Sequence, residues 1–198
     1  AESNLYNLVQ VFDQNHFETH IAYSMGGPYE PLLKHEGKKL FKFANRDYRV
    51  KNPYSLIIII KLAWYIRRHK IDIVHTHSYS GHVWGSIAAR MAGAKVLEHV
   101  HDSRYESKDF LSSRGLEITH QFDQAHYFAR LSDRIVVLTQ ANQKYLLDKK
   151  IADEKKVRRL LNGIALPSIK WPDRDKIWPR FNVHPEKKIV LLATRLSP

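Results

Sequence analysis

The stretch Ile71–Asp102, IDIVHTHSYSGHVWGSIAARMAGAKVLEHVHD, limits the possible folds most, because it reads as strand, turn, helix and strand in immediate succession. Its two apolar, β-branched runs each end in polar residues, the first in His75 and His77, the second in Glu98, His99, His101 and Asp102. Between them Ser80 suits a helix N-cap, Val83, Ile87 and Met91 fall on one helical face, and Gly93 stands where a C-cap belongs. Strand, crossover helix and strand make a right-handed βαβ unit with parallel strands. Open α/β sheets bind ligands outside the carboxyl ends of their strands, so this collection of His, Glu and Asp lies where a site is expected.

The same alternation extends in both directions. Leu5, Leu8, Val9 and Phe12 have helical spacing, residues 17–24 alternate as a strand, 29–37 predict a short helix and 38–43 a second strand. Residues 53–70 predict a helix with Pro53 in its first turn and four cations at its end, where they complement the helix dipole. Beyond Asp102, residues 103–113 read as a loop and 114–131 as an amphipathic helix. A strand (133–139), a helix (140–150), a strand (155–161) and a turn at Asn162-Gly163 follow. The fold expected over 1–164 is therefore α/β, a doubly wound, mostly parallel Rossmann-like sheet with helices on both faces. Residues 165–186 hold four of the eight prolines and suit an interdomain linker, after which 187–198 open a further buried strand.

Charge narrows the partners without choosing among them. A net charge of +12 attracts anions: nucleotides, phosphorylated sugars, acidic lipid headgroups or nucleic acid. The chain has no cysteine, which excludes disulfides, thiolate metal sites and cysteine nucleophiles and fits a reducing cytoplasm. The most apolar run, 56–66, is interrupted by Lys61 and falls short of the ~20 residues that span a bilayer, and no signal peptide is visible at the start.

Taken in order, IDIVHTHS, GSIAARMAGAKV, HVHD, SDRIVVLTQANQKYLL, KKVRRLLNGI and VLLATRLSP resemble the N-terminal half of family-4 GT-B glycosyltransferases. Members of that family carry comparable strand ends (VHTH, then VHD or VHG), a strand like ADRIVAVS, a turn PNGID, and VGRL at the opening of the second domain. The resemblance implies that Ala1-Glu2 match the end of a GGAE motif, with the family's first strand and glycine-rich loop ahead of it, and that the segment alone is catalytically silent. It implies that His101 sits at the sugar-binding cleft and positions the donor sugar, and that Arg195 holds the donor diphosphate, a task suited to the planar guanidinium fork. His75, His77, Asp102 and Arg104 are expected to line the substrate cleft, with the acceptor above His77 and His101 and beside the loop 103–112.

The activity so implied is transfer of a sugar from a nucleotide-sugar donor to an acceptor hydroxyl, with retention and with no metal or other cofactor. The acceptor is a sugar or lipid-linked molecule, and the pathway is cell-surface polysaccharide or glycolipid synthesis. Localisation is expected in the cytoplasm or peripherally on the inner face of the membrane. Basic runs at 38–51, 67–70 and 149–159 could meet an anionic membrane surface. Two other readings stay open. A metal-dependent hydrolase could use the HxH pair with His82 and the HVHD run, although Tyr79 and Ser80 stand where the HxHxDH pattern needs Asp and His. A basic nucleic-acid-binding module rests on charge alone; no RNA or DNA motif is present, so no nucleic-acid partner is expected.

Overall fold

A computed structural model of the chain describes residues 2–44, 54–77, 81–101, 127 and 129–163. By its internal contacts the chain divides into two compact units, 1–164 and 165–198, and every described residue belongs to the first. The elements are α1 (Glu2–Val11), β1 (His20–Tyr23), α2 (Tyr29–His35), β2 (Lys39–Lys42), α3 (Tyr54–Arg68), β3 (Ile73–His77), a π-helical turn (Gly81–Gly85), α4 (Ser86–Ala92), β4 (Lys95–Val100), β5 (Arg134–Val137), α5 (Gln140–Asp148) and β6 (Val157–Arg159). Helix 114–131 falls among the described residues only at its end, and the predicted loop 103–113, linker 165–186 and strand 187–198 lie outside them.

All described strand pairs are parallel, in two sheets of order β1-β2 and β3-β4-β5-β6. The expectation of parallel strands joined by helical crossovers is met. The arrangement in two sheets adds to it, because among the described residues β1 and β3 share no ladder. Helix α3 ties the two together. Its Tyr65 stacks on Phe41 at 4.0 Å and its hydroxyl lies 2.8 Å from His20 Nδ1, both on the smaller sheet. Ile58, Leu62 and Ile66 meanwhile join Ala88 and Ala89 of α4 and Val96 of β4 in the main core. Burying a side chain of that size contributes about 1.5–3 kcal/mol, so this row fixes α3 firmly on the larger sheet. The opposite face of the helix is unlike that of an ordinary surface helix: Leu56, Ile57, Ile60 and Trp64 are all exposed.

Two smaller cores complete the unit. Val9, Ile21 and Leu33 pack α1 and α2 on β1, and Val100, Ile135, Val137, Leu146, Ile151 and Val157 pack α5 on β4, β5 and β6. Thr139 caps α5 by accepting from the Asn142 amide at 3.1 Å. Asp133 joins the start of β5 to β4, accepting from the Val96 amide at 2.9 Å and pairing with Arg90 at 3.0 Å.

The helix after β3 departs from its predicted phase. Gly93 does close it in the left-handed conformation, with φ 85°. Its first turn, however, is π-helical, and the expected Ser80 cap lies outside the described residues. A π turn takes in one residue more than an α turn, so the four-residue spacing of Val83, Ile87 and Met91 no longer keeps one face. Val83 is buried, Met91 is 53 % exposed, and the buried face is carried by Trp84, Ala88 and Ala89. Gly85 permits the close seat of this turn on β3, since a Cβ there would lie 2.9 Å from Thr76 Cγ2.

Candidate functional site

Strand alternation assembles the site. β3 and β4 pair with Thr76 opposite Glu98 and His77 opposite His99. Side chains at a period of two then place His75, His77 and His99 on one face of the sheet, with His101 following in line, and Thr76 and Glu98 on the other.

On the first face four imidazoles form a continuous panel. Ring centroids lie 4.2 Å apart for His75 and His77, 5.4 Å for His75 and His99, and 4.1 Å for His99 and His101. His77 Nδ1 and His101 Nε2 are 2.8 Å apart, so one ring donates to the other. Burial lowers the pKa of His75 and His99 to about 4 and that of His77 to about 2, and the neighbouring imidazoles push the same way. These three rings are therefore neutral at pH 7. His75 Nε2, His77 Nε2 and both nitrogens of His99 are shielded from solvent and have no hydrogen-bond partner among the described residues. Buried polar atoms left in that condition are costly unless something else meets them. A neutral imidazole offers one donor and one acceptor beside a flat ring, a combination suited to the hydroxyls and C–H faces of a sugar.

The opposite face is the reverse in character. Thr76 Oγ1 lies 2.7 Å from His82 Nδ1, Ser132 Oγ donates to Glu98 Oε2 at 2.9 Å, and Glu98 Oε1 is 3.8 Å from His82 Nδ1. All four residues are buried, His82, Glu98 and Ser132 almost completely. This network links β3, the π turn, β4 and the start of β5.

The structure thus brings together His75, His77 and His101 of the predicted site and adds His99 to them. Glu98, grouped with these residues from its place near the strand end, belongs on the other face because it is one residue out of phase with His99. His82 is likewise removed from the proposed HxH metal set, being held against Thr76 behind the sheet. The nitrogens of His75, His77 and His99 are within 4.8 Å of one another and could hold a metal ion by themselves. Asp102, Arg104 and Arg195 lie outside the described residues. The buried network behind the panel was missed by sequence reasoning. Its one signal is a carboxylate, Glu98, inside an otherwise apolar strand with Thr76 at the matching position of the first. Two surface hollows, one between α1, α2 and β1 and one beside Ile71, Asp72 and Gly93, are lined by other residues than these.

Parallel strands and crossover helices, with a polar panel at the strand ends, define a Rossmann-like α/β unit. The family model for Glycosyltransferase Family 4 matches residues 1–166, and the chain belongs to that family. It is similar to the UDP-Gal:alpha-D-GlcNAc-diphosphoundecaprenol alpha-1,3-galactosyltransferase of Escherichia coli, with 24% identity over 191 residues, 95% of this chain and 46% of the relative. In fold it is similar to Anabaena HepE, solved with UDP and glucose, at TM-score 0.63 and 17% identity over 91% of this chain and 46% of that one. A glycosyltransferase from Rickettsia africae gives TM-score 0.63 and 18% identity over 92% and 45%. The chain spans about half the length of these relatives.

Proposed function

We propose that the intact protein transfers a hexosyl or related sugar from a nucleotide-sugar donor, a UDP-sugar in the first instance, to a hydroxyl of a sugar or lipid-linked acceptor. The observation that carries this is the panel of imidazoles at the carboxyl ends of β3 and β4, in which His75, His77 and His99 are neutral and keep buried nitrogens without a hydrogen-bond partner among the described residues, in a chain that belongs to Glycosyltransferase Family 4. In the reaction the bond between the anomeric carbon and the diphosphate oxygen breaks with its electron pair going to the diphosphate, a bond from that carbon to the acceptor oxygen forms, and the acceptor hydroxyl gives its proton to the departing diphosphate. His101, steadied by its hydrogen bond to His77, positions the donor sugar, while His75, His77, Asp102 and Arg104 line the cleft. Arg195 stabilises the charge that gathers on the departing diphosphate, a role for fixed cations that needs no resident metal. Transfer proceeds with retention.

The similar Escherichia coli enzyme is named for a diphosphoundecaprenol-linked acceptor. By that likeness the acceptor here is lipid-linked, the pathway is cell-surface polysaccharide or glycolipid synthesis, and the protein works on the cytoplasmic face of the membrane. No described helix is long and apolar enough to cross a membrane, so the association proposed is peripheral. Mass spectrometry of products from a panel of UDP-, GDP- and ADP-sugars with lipid-linked and free acceptors tests the reading. Sugar transfer from one donor is expected. No transfer from any donor, together with a zinc-dependent hydrolase activity, would hand the panel to the metal reading.

A further inference from the structure

The geometry of α3 points to its outer face as the surface with which the protein lies on an anionic lipid bilayer. This rests on the peripheral membrane reading above and assigns it a specific surface. A helix that packs on a sheet normally shows water a polar face. In α3 the inward row is Ile58, Ile59, Leu62 and Ile66, all buried, yet the outward row is also large and apolar: Leu56 is 64 % exposed, Ile57 49 %, Ile60 51 % and Trp64 59 %. At 100° per residue these four fall within about one third of the helix circumference. Lys61, Arg67 and Arg68 lie on the same side and are exposed, and the Arg68 guanidinium sits 5.5 Å from the Trp64 ring.

What covers such a face can be argued from its charge. Residues 54–70 contain Lys61, Arg67, Arg68 and Lys70 and no Asp or Glu. A second copy seated on the same face would oppose like charges across an apolar contact, with no carboxylate on the helix to offset them. An anionic bilayer supplies the missing complement in the required order: headgroup phosphates meet the cations while Leu56, Ile57, Ile60 and Trp64 enter the acyl boundary. Trp and Arg side by side are the residue types that settle at that depth. The inward row holds the helix to the sheet independently, so the outer row is free to do this without unfolding the domain.

The test uses the intact protein and vesicles of phosphatidylcholine with or without phosphatidylglycerol, read by co-sedimentation. Wild-type protein is expected to bind the phosphatidylglycerol vesicles and to bind pure phosphatidylcholine weakly. The pair Ile60→Glu and Trp64→Glu should lower binding about tenfold or more, and Lys61→Gln with Arg67→Gln and Arg68→Gln should lower it comparably. Melting temperature and transfer to a water-soluble acceptor should stay as in the wild type, since every substituted side chain points away from the core. Undiminished binding by the Ile60→Glu, Trp64→Glu protein would overturn the α3 assignment. If neutralising Lys38, Lys39 and Lys42 then abolished binding, the membrane reading would survive on another surface. Failure of the wild type to bind either vesicle would overturn both. A wild-type dimer made monomeric by Ile60→Glu and Trp64→Glu would give the face to a second copy and overturn the bilayer.

Discussion

The two faces of the β3-β4 pair are built from the same strands, one residue out of phase, and they arrange buried polarity differently. Behind the sheet, Thr76, His82, Glu98 and Ser132 meet one another within hydrogen-bond or ion-pair range. In front, His75, His77 and His99 keep nitrogens without a hydrogen-bond partner among the described residues. Such atoms also occur singly elsewhere, at Trp84 Nε1 in the π turn and Ser86 Oγ at the start of α4, but in front they are concentrated in adjacent rings, which is the feature the proposed function draws on.

The largest effect that would sharpen this contrast is on catalysis. His101→Ala in the intact protein should lower turnover by about a hundredfold through lost positioning, with the melting temperature little changed. Unchanged turnover would remove the front face from the reaction. Glu98→Ala should do the opposite, costing about 3 kcal/mol in urea denaturation because it strips the buried network of the carboxyl that Ser132 donates to, and Ser132→Ala should cost about 1 kcal/mol. If either rear substitution left stability intact while altering acceptor KM, the division between the faces would be wrong.

Acid should act through the front. His75 and His99 are held near pKa 4 when folded against an ordinary 6.5, so below about pH 6.5 the unfolded chain binds protons that the folded chain refuses. Stability is therefore unaffected by these groups at neutral pH and falls as pH drops from about 6.5 towards 4. Urea midpoints across that window should show the slope, and His75→Gln with His99→Gln should reduce it, leaving the part due to His77, which is lowered to about 2. The smallest expected effect is of chelation: dialysis against EDTA should leave transfer unchanged. Activity lost to EDTA and restored by zinc would turn the panel into a His75, His77, His99 metal site.

Much of this was legible in advance, and the reason is periodicity. The βαβ order, the parallel strands and three of the four panel histidines follow from where apolar runs stop and what stands at their ends. His99 was visible as a strand-end residue, but its role required the register that pairs it with His77, and register is a property of two strands at once. Glu98 was misgrouped for the same reason: closeness in sequence hides the alternation that sends it to the rear. The phase of the helix after β3 was lost because a π turn leaves no composition signature. The outer face of α3 escaped notice because IIII reads equally well as a buried helix.

Gly85 gives the rear network an evolutionary consequence. A Cβ at that position would collide with Thr76 Cγ2, and Thr76 is the partner of His82, which neighbours Glu98. Positions 76, 82, 85 and 98 are therefore not free to drift singly. In an alignment of close relatives they should change as a set, with a smaller residue at 76 accompanying any side chain at 85, and the loss of histidine at 82 accompanying the loss of acid at 98. Their joint history would record how β3 and β4 were kept in register as the sequence diverged.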